Sequence, residues 1–169
     1  MYDFRIATAD KAELYRQLAD AADALTAGEP DGIANMANVA ALIWEMLPGL
    51  NWAGFYRNVG GELVLGPFQG RPACIRIPFG KGVCGAAAAS LAPVCVADVL
   101  AFPGHIACDS ASRSELVVPI VTEGALLAVL DLDSPSPACF DDADVAGCVE
   151  LVQRLSGRFG GVANSSPGR

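Results

Sequence analysis

The chain has 169 residues, of which 53% are hydrophobic and 18% charged, with a formal net charge of −8. That length suits one domain with a sizeable core, and no apolar run reaches the roughly 20 residues a membrane-spanning helix needs. The acidic balance and the 11 scattered basic residues argue against a nucleic-acid partner, because phosphate neutralisation needs clustered Lys and Arg.

The opening stretch MYDFRIATADKAEL lacks the basic-then-apolar order of a secretion signal, so a cytoplasmic location and reduced thiols are expected. From Asp10 to Ala27, Leu14, Leu18, Ala21 and Leu25 recur at helical spacing. Asp10 with Glu13 has the form of a capping box, and Gly28 and Pro30 mark the stop. A second helix is predicted from Asp31 to Met46, closed by Pro48 and Gly49. NWAGFYRNV and ELVLGPF then flank Gly60-Gly61, a two-residue hairpin signal. ACIRIPF reads as a further strand, GKGVCGAAAAS as the start of a helix, and PVCVADV as a strand. A long loop covers 100–114, and structureless loops of that length in compact domains are commonly functional. ELVVPIVTEGALLAVLDLD is a hairpin turning at Glu123-Gly124. A last helix runs from Asp141 to Phe159 with Val145, Cys148, Val149, Val152 and Leu155 on one face. The order predicts an α+β domain over residues 1–161, a central antiparallel sheet with helices on one face and ligand-site loops on the other, followed by a frayed tail at 162–169.

Cysteines stand at 74, 84, 95, 108, 139 and 148, with no C-x-x-C pair, and His105 is the single histidine, so spacing gives a zinc site little support. Cys95 in a strand, Cys148 on the apolar helix face and Cys139 before the last helix read as small hydrophobes. Cys74, Cys84 and Cys108 lie at or near loops and fit a nucleophile with resolving partners. Cys84 sits among Gly80, Gly82 and Gly85 at a helix start, where a thiol gains thiolate character. Asp131 and Asp133 are two apart on one strand and share a face, and Glu115 on the neighbouring strand would lie opposite them. Three converging acids would hold an ammonium group while one of them keeps a proton for acid catalysis. RIPFGKGVCG has the loop-to-helix form that presents backbone N–H groups to an anion. Trp52 reads either as core or as a wall for a ligand with an onium or methyl group. His105 is either a solvated loop residue or a participant, and Lys81 is expected in solvent. These residues point to thiol redox chemistry without specifying the reaction.

NWAGFY, LGPFQG, ACIRIPFGKGVCG, FPGHIACD, SRSELVVP and VLDLDS, in that order, resemble the free methionine-(R)-sulfoxide reductases, which are built on a GAF domain. The resemblance runs from Asn51 to Ser134. It implies reduction of free methionine sulfoxide, with no bound cofactor and thioredoxin as electron donor, and it allows a homodimer through the flanking helices. By motif, Cys108 would be the nucleophile, with Cys74 and Cys84 as resolving thiols. Glu115, Asp131 and Asp133 would bind the ammonium and protonate the sulfoxide oxygen. Trp52 would wall the methyl group with Tyr56 helping to enclose it, and backbone N–H groups of Ile77 to Val83, Gly82 among them, would receive the carboxylate. The chain departs from the family pattern at Leu100, where histidine is expected, at Leu116, where isoleucine is usual, and in carrying Cys95, Cys139 and Cys148.

Overall fold

A computed structural model describes residues 10–104 and 110–160. Two helices come first among the described residues, α1 (Lys11–Thr26) and α2 (Gly32–Met46), followed by strands β1 (Trp52–Val59), β2 (Glu62–Gly70) and β3 (Arg76–Pro78). Helix α3 (Gly82–Ser90) leads to β4 (Val94–Val96) and a 3-10 turn at Val99–Ala101, and β5 (Ser114–Thr122), β6 (Ala125–Ser134) and α4 (Asp142–Phe159) complete the order. The six strands form one sheet in the order β3-β2-β1-β6-β5-β4, with every neighbouring pair antiparallel. The chain thus starts at the centre, builds one wing through two hairpins, crosses by α3 to the far edge, and returns to lay β6 beside β1.

Both hairpin turns follow from backbone chemistry. Gly60 and Gly61 have φ of 65° and 86°, the positive pair that suits strand twist in a two-residue hairpin. Glu123 and Gly124 turn the second hairpin at φ of 53° and 78°.

Strand alternation divides the core in two. Ala53, Phe55, Leu116, Val118, Leu130 and Leu132 pack under α1, α2 and α4 with Leu18, Ile43, Leu151, Leu155 and Phe159. Trp52, Tyr56, Val117 and Val129 point the other way and meet Leu63, Ile77, Val83, Ala87 and Val96. Each fully buried Leu or Phe contributes roughly 1.5–3 kcal/mol by removal from water. The second face carries α3 as well as loops, so β1, β5 and β6 are covered on both sides. That is why VVPIV and ALLAVL read as unbroken apolar runs.

Three local expectations need correction. The buried stripe of α1 is Tyr15, Leu18, Ala19, Ala22 and Thr26, rotated from the one read off Leu14, Ala21 and Leu25. Tyr15 turns inward because its Oη donates to Asp144 Oδ1 of α4 at 3.0 Å. Asp10 caps α1 through the N–H groups of Ala12 and Glu13, but the Glu13 carboxylate bonds Arg16 and Gln17. The reciprocal capping box belongs to α4, between Asp141 and Asp144. Finally, Cys95 is exposed on β4, because that edge strand has only three residues and, among the described residues, no neighbour beyond it.

Candidate active site

The register of β5 on β6 sets Glu115 opposite Asp133 and Val117 opposite Asp131, while Trp52 of β1 pairs with Asp133 and Gly54 with Asp131. Glu115, Asp131 and Asp133 therefore share one face with Trp52 and Tyr56, the convergence expected from their two-residue spacing. Helix α3 adds Cys84 from above, its Sγ 3.9 Å from Glu115 Oε1. Cys84, Glu115 and Asp131 are 3%, 6% and 5% exposed, so no bulk water screens them from one another.

The approach of α3 depends on the glycine run. Gly80 N–H donates to Gly85 O at 2.7 Å and Lys81 N–H to Pro78 O at 3.2 Å, folding the turn back on the first helical residues. A Cβ at Gly85 would stand 2.5 Å from Pro78 O, so only glycine lets α3 begin this close to β3. Gly80 and Lys81 have thereby spent their N–H groups. Lys81 is exposed and gives α3 no side-chain cap, which leaves Gly82, Val83 and Cys84 as first-turn N–H groups without an intrahelical acceptor. Ile77 is paired with Leu63 and buried in the core under the turn.

Burial dominates the electrostatics. It pushes the Asp131 carboxyl up to about 7. Burial and the facing Asp131 and Asp133 push Glu115 well above the usual carboxylate range. Cys84 is raised well above an ordinary thiol by burial and then by Asp131 and Glu115. Its position in the first turn of α3 does not make it a thiolate, because burial, with the acids beside it, outweighs a helix terminus. Near neutral pH the cluster holds a proton, and Asp131 Oδ1 has no hydrogen-bond partner among the described residues. A buried acceptor of this kind is ready for a cationic donor.

An aromatic stack closes the side of the pocket. Trp52 lies against Tyr56 at 5.7 Å and 23°, and against Phe68 of β2 at 5.3 Å and 12°. The indole is 2% exposed and its Nε1 donates to Arg71 O at 3.1 Å, so its orientation is fixed by two stacked rings and by its edge. Phe68 was not singled out by the sequence, where PFQG gives no sign that a partly buried ring lies on Trp52.

The base of the long loop is tied to the same end of the sheet. Val99 N–H donates to Arg113 O, Arg113 pairs with Asp98 at 3.0 Å, and Asn51 Nδ2 donates to Ser112 Oγ at 3.1 Å. Asn51 N–H also donates to Asp133 O at 3.0 Å. Cys108, with His105 and Asp109, lies outside the described residues. Cys74 is half-buried and disulfide-bonded, whereas Cys84, Cys95, Cys139 and Cys148 are free thiols. Burial takes Cys148 up to about 12, in keeping with a packing role. Leu100 is 74% exposed and Leu116 faces the helices, so neither departure reaches the acid cluster.

The GAF domain model matches residues 31–161. The chain is 48% identical over 146 residues to the free methionine-R-sulfoxide reductase of Escherichia coli, covering 86% of this chain and 88% of that one. It is 43% identical over 155 residues to the Saccharomyces cerevisiae protein of the same name, with 87% and 84% covered. The crystal structure of the Neisseria meningitidis free methionine-R-sulfoxide reductase, in complex with its substrate, superposes with a TM-score of 0.89 at 47% identity, over 94% of this chain and 96% of that one.

Proposed function

The chain belongs to the GAF-domain family and, within it, to the free methionine-(R)-sulfoxide reductases, and on that premise we propose that it reduces free L-methionine-(R)-sulfoxide to L-methionine through Cys108. The observation that carries this reading is the buried Glu115–Asp131 pair beside the Trp52 wall, with Asp131 Oδ1 unpartnered among the described residues. The substrate ammonium would enter this cluster, and its carboxylate would meet the N–H groups of Gly82 and Val83 at the start of α3. Both ends of a free amino acid are then used, which excludes methionine sulfoxide inside a polypeptide. Trp52 would wall the methyl group, enclosed by Tyr56.

The Cys108 thiolate attacks the sulfoxide sulfur while the Glu115 carboxyl, protonated because burial and two facing acids raise it, donates to the oxygen. Oxygen passes to the Cys108 sulfur, the substrate sulfur is reduced by two electrons, and methionine leaves a sulfenic acid behind. A second thiol condenses with that acid, forming a disulfide and releasing water. Cys74 suits this step better than Cys84: Cys74 is the disulfide-bonded cysteine of the described residues, whereas Cys84 remains a thiol shielded in the acid cluster. Thioredoxin then reopens the disulfide by thiol exchange, with no bound cofactor. The Asp98–Arg113 and Asn51–Ser112 contacts support this reading, since they hold the described residues flanking the Cys108 segment at the acid end of the sheet. No described helix is long and apolar enough to cross a membrane. A cytoplasmic enzyme, with Trp44 of α2 exposed for pairing in a homodimer, completes the proposal.

The test is NADPH consumption with thioredoxin and thioredoxin reductase, supplying the R or S epimer of free methionine sulfoxide. Turnover of the R epimer alone, abolished in Cys108→Ser, is expected. No turnover by folded, reduced protein, or equal rates on methionine sulfoxide within a folded protein, would overturn the assignment.

A further inference from the structure

Cys84 has no step of its own in the reaction above, yet its sulfur and one oxygen each of Glu115 and Asp131 lie within 4.8 Å of one another. We propose that the reduced protein binds one borderline-to-soft divalent cation, Zn²⁺ or its analogue Cd²⁺, through Cys84 Sγ, Glu115 and Asp131, in the pocket that otherwise takes the substrate ammonium. Two ligands of a tetrahedral zinc, one sulfur and one oxygen, stand about 3.5 Å apart. The Cys84 Sγ to Glu115 Oε1 separation is 3.9 Å, so a small inward adjustment closes the site.

Two further observations favour a cation here. Asp131 is 5% exposed and its Oδ1 has no hydrogen-bond partner among the described residues, so the pocket holds an acceptor waiting for positive charge. Asp133 follows two residues along on the same face, adding negative charge without taking a coordination position. The donor set selects among metals. One thiolate with two carboxylates suits Zn²⁺ or Cd²⁺, whereas Mg²⁺ and Ca²⁺ demand six or more oxygens. Three protein ligands leave a fourth position for water, the composition of an exchangeable rather than a structural site. On binding, the ligands release their protons to solvent. Glu115 and Asp131 cannot serve the metal and the ammonium together, so metal and substrate exclude each other, a consequence that rests on the proposed function.

The full-length chain, reduced and freed of metal, would be titrated with Cd²⁺ and followed by thiolate-to-metal ultraviolet charge transfer. Zn²⁺ would be titrated against a chromophoric chelator. One tight equivalent per chain is expected, absent in Cys84→Ser and unchanged in Cys95→Ser/Cys139→Ser. Asp131→Asn and Glu115→Gln keep every thiol and should each weaken binding roughly tenfold or more, since even an outer-shell partner costs 10–100-fold. Wild-type affinity in Cys84→Ser, or in both carboxyl variants, would overturn the site. In the Cys108→Ser chain, which cannot turn over, free methionine sulfoxide should raise the apparent dissociation constant for the metal. Metal binding that depends on Cys84 and Asp131 but ignores methionine sulfoxide would leave the metal site standing and refute the substrate pocket.

Discussion

Replacing Asp131 by Asn removes a buried acid while keeping its shape, and the change should show first in the pH dependence of stability. Asp131 moves from an ordinary 3.8 to about 7 in the folded chain because burial disfavours its anion. A carboxyl raised in this way stabilises the fold below its unfolded value, and that contribution is lost as pH rises through the folded one. By the linkage relation, the loss between about pH 5.5 and about pH 8 is about 2 kcal/mol for a shift of this size. For a chain of this length that corresponds to a fall of roughly 4–8 °C in melting temperature. Asp131→Asn has no proton to lose at this position, so the stability difference, variant minus wild type, should grow by about 2 kcal/mol over the same window. Urea unfolding of substrate-free protein, followed by Trp fluorescence at both pH values in one redox state, measures it. Parallel pH profiles for variant and wild type would show that Asp131 is already ionised in the native state. The account of the cluster as a proton reservoir would then fail.

The glycine turn under α3 offers a steric test. Gly85→Ala would place a Cβ 2.5 Å from Pro78 O, and the forced shift should cost about 1–3 kcal/mol in denaturant unfolding. Under the proposed function it should also weaken substrate binding, because the Gly82 and Val83 N–H groups assigned to the substrate carboxylate move with the turn. A variant with unchanged stability and KM would refute the packing argument. Thiol reactivity offers another test. Cys95 is exposed and Cys148 is buried and held up to about 12, so Cys95 should alkylate well before Cys148, which should react only on unfolding. Peptide mapping after timed iodoacetamide treatment reads the order, and early labelling of Cys148 would contradict its packing role.

What the sequence could convey depended on whether a feature is local. Gly60-Gly61 and Glu123-Gly124 were legible because a turn is specified by the residues within it. Asp131 and Asp133 were legible as a same-face pair, and Glu115 as their partner, because strand alternation and the hairpin fix the register. Phe68 was not legible, since its contact with Trp52 depends on the offset between β1 and β2, which shifts between Gly54 and Tyr56. The exposure of Cys95 was equally hidden, because alternating valines look the same on an edge strand as in the middle of a sheet.

The state of Cys84 shows most clearly how assembly overrides a local motif. Read from FGKGVCG, the thiol stands at a helix start and should be activated. Tertiary packing brings α3 onto β5 and β6, so the same thiol meets Glu115, Asp131 and Asp133 in a site without bulk water. Partial charge at a helix terminus is worth about 1 kcal/mol, up to about 2 in partly buried geometry, whereas desolvation of an anion can shift a pKa by several units. The second effect wins, and Cys84 stays protonated. The burial that silences its nucleophilicity also raises Glu115 and keeps the cluster protonated. Activating Cys84 and arming Glu115 as an acid are therefore opposed demands on one pocket, which is why the proposed mechanism gives the attack to Cys108 rather than to Cys84.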